Sequence, residues 1–161
     1  MPAVQGARAP IEIAPAGERI APARELLREY EAELRIDLCF QDFEGELASL
    51  PGAYVPPDGC LLLAAAAGEL AGCVALRRHE GSTAELKRLY VRPAARGSGV
   101  ARALTHAALA HARARGYREV VLDTLPGMVA AQALHRSLGF LETGPYRANP
   151  VAGASFMALA L

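Results

Sequence analysis

A short segment, residues 89–101, has the residue types and spacing that bind a phosphate group. A predicted strand reaches Pro93, and Gly97 and Gly99 then open a predicted helix. The first backbone N–H groups of a helix have no acceptor within it, and glycines let a phosphate approach them. Arg96 adds a cation beside these groups. The segment therefore predicts a diphosphate site, although a Gly-x-Gly turn alone is equally compatible with a plain tight connection.

Two nucleotide-binding motifs are excluded by the residues that they require. A Walker loop needs Gly-Lys followed by Ser or Thr, and the segment has no such run. A dinucleotide-binding turn needs a third glycine where Arg102 stands. The pattern that remains is Arg-x-x-Gly-x-Ala, formed by Arg96, Gly99 and Ala101.

Hydrophobic periodicity predicts the elements that precede this segment. Residues 11–14 form a short strand, and a helix with Pro22 at its first position follows. The apolar face of that helix consists of Leu26, Leu27, Tyr30 and Leu34. A shorter helix covers residues 42–50. Three strands of an antiparallel meander follow, at residues 60–67, 70–77 and 84–91.

The elements after the glycines alternate between helix and strand. Gly116 ends a helix whose buried side is formed by Val100, Leu104, Ala108 and Ala112. Residues 119–124 form a compact apolar strand, and residues 128–138 form a helix. Two final strands lie near residues 140–146 and 154–161. Strands followed by a strand-helix-strand unit predict a mixed sheet with helices on its faces.

The pattern at Arg96, Gly99 and Ala101 resembles that of the GNAT acetyltransferase superfamily. Val91-Arg92-Pro93 precedes it, and residues 134–140 end in Leu-Gly-Phe, as in that family. Other segments, such as residues 37–41 and 122–126, are similar to one bacterial subgroup. The resemblance implies an α/β fold with a central, mostly antiparallel sheet flanked by helices on both faces. One acetyltransferase domain is expected over residues 11–161, after a disordered arm of residues 1–10.

The resemblance implies acetyl-CoA as the cofactor. In the family, the strand before the cradle parts from its neighbour, so that main-chain groups can bond the pantetheine amides. The expected cofactor contacts are Leu89, Tyr90, Val91, Arg96, Gly97, Ser98, Gly99, Val100, Ala101, Thr124, Met128 and Ala131. Met128 is a departure, because many relatives carry Asn there; Thr124 is a candidate to supply the missing polar contact.

Transfer of an acetyl group requires a base for the amine and an acid for the departing thiolate. Glu85 lies on the predicted strand, on the same face as Lys87 and Leu89, and resembles the family's glutamate base, which works directly or through water. The alternative is a half-exposed carboxylate paired with Lys87. His135 stands where the family usually has Tyr. Its imidazole either protonates the thiolate or only fills the helix face, with water as the acid.

The acceptor, by resemblance, enters between the first two helices and the loop between the last two strands. The candidate residues are Asp37, Phe40, Gln41, Lys87, Arg88, Tyr146, Arg147 and Asn149. Asp37 would attract a cation, whereas Arg147 with Lys87 or Arg88 would hold a carboxylate. A small, amino-acid-like amine is the preferred acceptor. Each residue also has an ordinary structural explanation, such as a helix cap at Asp37.

The amino-acid composition limits which binding partners and which cellular compartment are expected. Lys+Arg 17 against Asp+Glu 17 gives a net charge of zero, so nucleic acid and membrane surfaces are not expected as partners. Cys39, Cys60 and Cys73 form no CxxC pair and no metal-ligand spacing, which predicts free thiols and no metal. No signal-peptide pattern opens the chain, so a cytoplasmic location is expected.

Three functions stay open. The first is transfer of acetyl from acetyl-CoA to a primary amine of a small molecule in a ternary complex. The second is an acyl-CoA-binding module with little turnover, which the departures at Met128 and His135 favour. The third is a protein N-acetyltransferase. A homodimer is also expected, since the apolar residues 154–161 suit association through the last strand.

Overall fold

The structure, a computed structural model, describes residues 8–35, 38 and 42–161, which form one seven-stranded sheet and four α-helices. The strands are β1 (Ile11–Pro15), β2 (Cys60–Ala66), β3 (Glu69–Glu80), β4 (Thr83–Val91), β5 (Glu119–Thr124), β6 (Leu141–Thr143) and β7 (Ser155–Ala160). The helices are α1 (Ile20–Leu34), α2 (Phe43–Ser49), α3 (Val100–Arg115) and α4 (Val129–Ser137). A turn of 3-10 helix spans Pro93–Ala95.

The strands lie side by side in the order β1-β2-β3-β4-β5-β7-β6. Neighbouring strands are antiparallel except β4 and β5, which are parallel and joined by α3. A parallel pair needs such a crossover, since a tight turn can only reverse the chain. The predicted mixed, mostly antiparallel sheet is confirmed.

Both faces of the sheet are covered by helices. One face is covered by α3, which contributes the four residues that periodicity predicted, Val100, Leu104, Ala108 and Ala112. The other face is covered by α1 and α2, through Leu26, Leu27, Phe43 and Leu47. The central strands β2, β3 and β4 supply both cores because successive side chains point to opposite faces. The predicted arrangement of helices on both faces is confirmed.

The predicted elements are present, and their boundaries differ by more than one residue in three places. Helix α1 begins at Ile20, so Pro22 is the third helical residue and not the first. It still lies in the first turn, where a missing N–H removes no helical hydrogen bond. Strand β3 runs on to Glu80 because the chain reverses only at Gly81. Strand β6 ends at Thr143, three residues before Tyr146, because the chain there turns toward buried carboxylates.

The last strand occupies the interior of the sheet. Strand β7 pairs with β5 on one side and with β6 on the other. Its apolar sequence is accounted for by this position, without a partner subunit. The homodimer stays a prediction.

Strand β4 leaves its neighbour β5 part-way along its length. The two strands pair only from Thr83 with Glu119 to Glu85 with Val121. On its other side, β4 has a bulge, because Ala75 pairs with Lys87 and Cys73 with Tyr90. Arg88, within the bulge, has a left-handed backbone with φ 60°. The residues of β4 beyond Glu85 therefore border an opening in the sheet.

The bulge corrects one prediction about β4. Leu89 was expected on the same face as Glu85 and Lys87, but it packs against the α3 core. Tyr90 belongs to the core beneath α1 and α2. The extra residue of a bulge inverts the alternation of side chains that follow it, and strict period-two counting fails there.

The close approach of β3 to the end of β4 yields a stability prediction. A methyl group at Gly72 would overlap the carbonyl oxygen of Tyr90 and touch Leu104 Cδ1 at 3.3 Å. We expect Gly72→Ala to lower the free energy of unfolding by about 1–3 kcal/mol, because two paired strands must move apart. Denaturant unfolding measures this change.

Gly127→Ala is the matched control, since a methyl there meets no atom within 4 Å among the described residues. Its effect should stay within about 0.5 kcal/mol. Equal stability of the two variants would contradict the close packing at Gly72.

Candidate active site

The opening between β4 and β5 is lined by both strands and by residues of α1 and α4. Its lining residues are Tyr30, Leu38, Leu86, Lys87, Arg88, Leu89, Leu122, Asp123, Thr124, Leu125, Met128, Ala131, His135 and Asn149. Side chains from both faces of the sheet therefore meet in one cleft. The structure brings together predicted cofactor residues, predicted acceptor residues and His135.

The predicted phosphate cradle begins where β4 ends. The turn of 3-10 helix follows, and Gly97 and Gly99 then have φ 77° and 93°. Such angles suit glycine, because a Cβ atom would strain the backbone. Gly99 is the N-cap of α3. The N–H groups of the first helical turn, which have no acceptor within the helix, therefore lie next to the two glycines. These are the backbone features that the predicted diphosphate site requires, and the site itself stays a prediction.

Arg96 is anchored beside the cradle. Its Nε donates to the carbonyl oxygen of Val91 at 3.0 Å, and its Nη2 donates to Glu33 of α1 at 2.7 Å. Ser98 donates its hydroxyl to the carbonyl oxygen of Ala95. The cation therefore lies at the predicted place, with a carboxylate partner that the sequence pattern did not reveal.

The start of α4 forms the far wall of the cleft. Thr124 is buried, and its Oγ1 lies 3.8 Å from the sulfur of Met128, to which it donates. Gln132 donates to the carbonyl oxygen of Leu125 at 2.7 Å and so fixes the turn between β5 and α4. Thr124 is thus adjacent to Met128, as its predicted role as a substitute polar contact requires.

His135 is buried in the cleft wall. Its ring packs edge-on against Phe140, with the ring centres 5.5 Å apart. Its Nδ1 has no hydrogen-bond partner among the described residues. Burial lowers the pKa of His135 to about 4. The ring is therefore neutral at neutral pH, and a neutral imidazole is a much weaker acid than imidazolium.

Glu85 is completely buried and both of its oxygens have partners. Arg77 donates to Oε1 through Nε at 2.9 Å, and Tyr146 donates its hydroxyl to Oε2 at 2.6 Å. The Nε of Arg147 lies 3.4 Å from Oε2. Burial alone would raise the pKa of Glu85, but Lys87, Tyr146 and the arginines together lower it. The carboxylate is ionised, and it does not belong to the lining of the cleft.

Asp123 is a site residue that sequence reasoning missed. Its Oδ2 accepts hydrogen bonds from Arg147 Nη2 at 2.7 Å and from Asn149 Nδ2 at 3.0 Å. The segment from Tyr146 to Asn149 is therefore held to the sheet by carboxylates on two adjacent strands, Glu85 and Asp123. The sequence carried no signal for these pairs, because their members are more than twenty residues apart.

Arg88 was predicted as a possible partner for an acceptor carboxylate, and it already has one in the protein. It donates to both oxygens of Glu46 on α2, at 2.8 and 3.1 Å. Its guanidinium lies over the ring of Phe43, which belongs to the core, at 5.0 Å from the ring centre. Tyr54 also donates to Glu46, at 2.7 Å. Two of the five N–H donors of Arg88 are used by Glu46.

Lys87 lines the cleft and is 7% exposed. Burial and the charge of Arg88 lower the pKa of Lys87 to about 7, and Arg147 and Arg77 act in the same direction. Glu85 opposes this effect. Near neutral pH, an ordinary lysine is fully protonated, whereas this one is divided between the two forms.

Comparisons with known proteins support the interpretation of the cradle. The sequence profile described as the acetyltransferase (GNAT) family matches residues 20–140. An uncharacterised N-acetyltransferase of Schizosaccharomyces pombe is 39% identical over 136 residues, which cover 83% of each chain. The chain belongs to the GNAT acetyltransferase family.

Other relatives and structures agree with this assignment. Human N-acetylaspartate synthetase is 37% identical over 131 residues, which cover 80% of this chain and 40% of that protein. An acetyltransferase of Streptococcus agalactiae has the same fold, with a TM-score of 0.76, 22% identity and coverage of 94% of this chain and 98% of that one. The PaiA N-acetyltransferase of Thermoplasma acidophilum, in complex with coenzyme A, has a TM-score of 0.68, 19% identity and coverage of 94% and 99%.

Parts of this GNAT acetyltransferase lie outside the described residues. They include Asp37, Phe40 and Gln41 of the predicted acceptor site, Cys39, and residues 1–7 of the arm. Pro10 is described, and its carbonyl oxygen accepts a hydrogen bond from the N–H of Ala67. Cys60 and Cys73 are free and buried.

Two features are absent from the described part of this GNAT protein. No group of His, Cys, Asp and Glu side chains there is arranged to hold a metal ion. In the same residues, no helix has the length and apolar character needed to cross a membrane.

Because His135 is buried, we expect the stability of the folded protein to fall in acid. Its pKa is about 4 in the folded GNAT domain and about 6.5 when unfolded, so between these values only the unfolded chain takes up the proton. Stability should therefore fall as the pH drops from about 6.5 toward 4, by about 2 kcal/mol from this group at pH 5. His135→Phe should lose that component in denaturant unfolding at pH 7 and 5.

The control is His106→Phe, which changes an exposed histidine on α3. It should keep the pH dependence of the parent protein. A His135→Phe variant with the parent's pH dependence would show that His135 titrates normally in the folded state.

Proposed function

We propose that this GNAT protein transfers an acetyl group from acetyl-CoA to the primary amine of a small molecule that carries a carboxylate. The cofactor would lie with its diphosphate at Gly97–Gly99 and with its pantetheine arm along Leu89, Tyr90 and Val91, where β4 has no partner in β5. Bound there, acetyl-CoA supplies an activated acetyl group. Binding of a coenzyme A-type cofactor is supported by the family and by the coenzyme A complexes among the similar structures.

The class of acceptor is inferred from the Arg147 guanidinium, one edge of which is buried. Arg147 Nε is buried and makes no hydrogen bond among the described residues; it lies 3.4 Å from Glu85 Oε2, in an ion pair, while its Nη2 is bonded to Asp123. A buried cationic N–H without a hydrogen bond is costly, and an anionic ligand that accepts one would stabilise it. Arg88, on the cleft wall, keeps N–H donors beyond the two that Glu46 uses.

The names of similar proteins also support an acceptor that carries a carboxylate. Several similar proteins are named N-acetylaspartate synthetase, from Rattus norvegicus, Homo sapiens and other vertebrates. Aspartate carries an amine and two carboxylates, and a carboxylate is the group that Arg88 of the cleft wall and Arg147, which is bonded to the cleft residue Asp123, would recognise. An amino acid with a carboxylate side chain is therefore the preferred acceptor.

The first experiment separates cofactor binding from turnover. Acetyl-CoA and coenzyme A should raise the melting temperature, whereas ATP and NAD should not, because only the former pair carries a pantetheine arm that can bind along the unpaired part of β4. Free thiol is then measured after mixing acetyl-CoA with L-aspartate, L-glutamate, β-alanine and, as carboxylate-free amines, ethylamine and tyramine. We expect kcat/KM to be about tenfold or more higher for the carboxylate-bearing amines.

Each other outcome has a definite meaning. Cofactor binding without thiol release on any amine would support a coenzyme A-binding module in place of an enzyme. Equal rates with and without a carboxylate would refute the acceptor class. Absence of a thermal shift with either coenzyme A compound would refute the cofactor itself.

Glu85 is proposed to act on the amine through an intermediate group, since its oxygens are occupied by Arg77 and Tyr146. We expect Glu85→Gln to lower kcat by about 10- to 100-fold. The dissociation constant for acetyl-CoA should change less than about twofold, because the carboxylate lies apart from the cradle. Steady-state kinetics and calorimetric titration measure the two quantities.

Glu142→Gln is the matched control. It alters an exposed carboxylate of β6 whose partner is Arg136 and should leave both constants unchanged. Full activity of Glu85→Gln would remove Glu85 from the reaction.

A further inference from the structure

Lys87 is the single lysine of this chain, which otherwise carries sixteen arginines. Arginine stays charged at every physiological pH, whereas lysine can lose its proton when its surroundings disfavour the charge. The one cationic side chain able to become a neutral amine therefore stands in the lining of the cleft.

Lys87 stands at the point where the sheet opens. The last pair between β4 and β5 is Glu85 with Val121, and Lys87 follows two residues later. Lys87 pairs with Ala75 of β3, and Ala75 packs in the core beneath α1 and α2. The side chain thus belongs to the face that carries the acceptor candidates, while β4 continues directly into the cofactor cradle.

The surroundings of Lys87 disfavour its charged form. Charges act on Lys87 from β3, β4, α2 and the segment before β7, namely from Arg77, Glu85, Arg88, Glu46 and Arg147, and Asp123 of β5 lines the same cleft. On the cleft wall, α1 contributes Tyr30 and α4 contributes the neutral His135. Burial is the largest influence, and with the guanidinium groups it lowers the pKa of Lys87 to about 7. At pH 7, Lys87 is then a neutral amine in roughly half of the molecules.

Other nearby groups are less suited to accept a proton. Both Glu85 oxygens already accept hydrogen bonds. The hydroxyl of Tyr146 donates to Glu85, and burial followed by the charge of Glu85 raises the pKa of this phenol. A neutral His135 could accept a proton only weakly, since its pKa is about 4.

We propose that Lys87, as a neutral amine, takes the proton from the acceptor nitrogen and passes it to the departing coenzyme A thiolate. This assignment rests on the proposed acetyltransferase function. Glu85 is then a positioning residue that sets the charge around Lys87 and anchors Tyr146.

The proton balance closes within one turnover. The acceptor reacts as a neutral amine: one of its N–H bonds breaks as its nitrogen bonds the acetyl carbon, and a new N–H bond forms at Lys87 Nζ. When the carbon–sulfur bond breaks, its electron pair stays on sulfur, and the Lys87 ammonium returns the proton to it. A simple thiol has a pKa of about 8.5, so this return is favourable from a lysine with a pKa of about 7. The products are an amide and free coenzyme A, with Lys87 neutral again.

A titration that needs no turnover tests the ionisation. Protein grown with ¹³C-lysine carries a single labelled side chain, since the chain has one lysine. The Cε resonance should titrate with a midpoint of about 7 in the cofactor-free protein. A midpoint near that of ordinary lysine, about 10.4, would overturn the proposal. In Glu85→Gln the midpoint should move lower, because a nearby negative charge is removed.

Two variants separate a base from a simple positive charge. Lys87→Arg keeps the charge and cannot release a proton, whereas Lys87→Met removes both. The proposal predicts that each variant loses about 100-fold in kcat with acetyl-CoA and L-aspartate, while the dissociation constant for acetyl-CoA changes less than about threefold. The ionisation near pH 7 in kcat/KM should also disappear from both. Retention of more than a tenth of the activity by Lys87→Arg would show that only its charge matters.

The outcomes distinguish this proposal from the function on which it rests. If the parent protein acetylates none of the amines, the proposed acetyltransferase function is refuted, and the role of Lys87 is refuted with it. If the parent is active while Lys87→Met is equally active, the function stands and the assignment to Lys87 is overturned. Thermal unfolding shows that both variants are folded before their rates are compared.

Discussion

The loss of pairing between β4 and β5 after Glu85 and Val121 is the constraint on which the site depends. In a continuous sheet, the backbone groups from Leu86 onward would be used in hydrogen bonds to a neighbouring strand. Here that side of the strand borders a cleft instead, and the same strand leads within six residues to Gly97. The groups that we propose for the pantetheine arm and for the diphosphate of the cofactor therefore adjoin on a continuous stretch of chain.

An opening in a sheet must be held in shape, and this protein does so with buried ion pairs. Arg88 has a left-handed backbone and is bonded to both oxygens of Glu46. Removing one member of such a buried pair typically costs about 3–5 kcal/mol, so α2 is firmly tied to the bulge. On the other side, Glu85 and Asp123 hold Tyr146 and Arg147 against the sheet. The walls of the acceptor side are thus fixed by charges whose own partners are other wall residues.

These ion pairs also explain why roles cannot be read from residue types alone. Glu85 has the residue type and position of a base, but two donors occupy its oxygens. Arg88 has the charge to hold a carboxylate, and Glu46 already supplies one. Burial makes His135 neutral and Lys87 readily deprotonated. Chemistry at this site is therefore set by which groups surround each side chain.

The fold and the glycine turn at the start of α3 could be predicted because their signals are local. The helical period of Val100, Leu104, Ala108 and Ala112 and the two glycines before it depend on neighbours a few residues away. Residues far apart in the chain decided the rest: Tyr146 meets Glu85 across 61 positions, and Arg88 meets Glu46 across 42. The bulge at Arg88, the inverted face of Leu89 and the pKa of Lys87 arise from such contacts, since burial and charge act through space and leave no mark on local spacing.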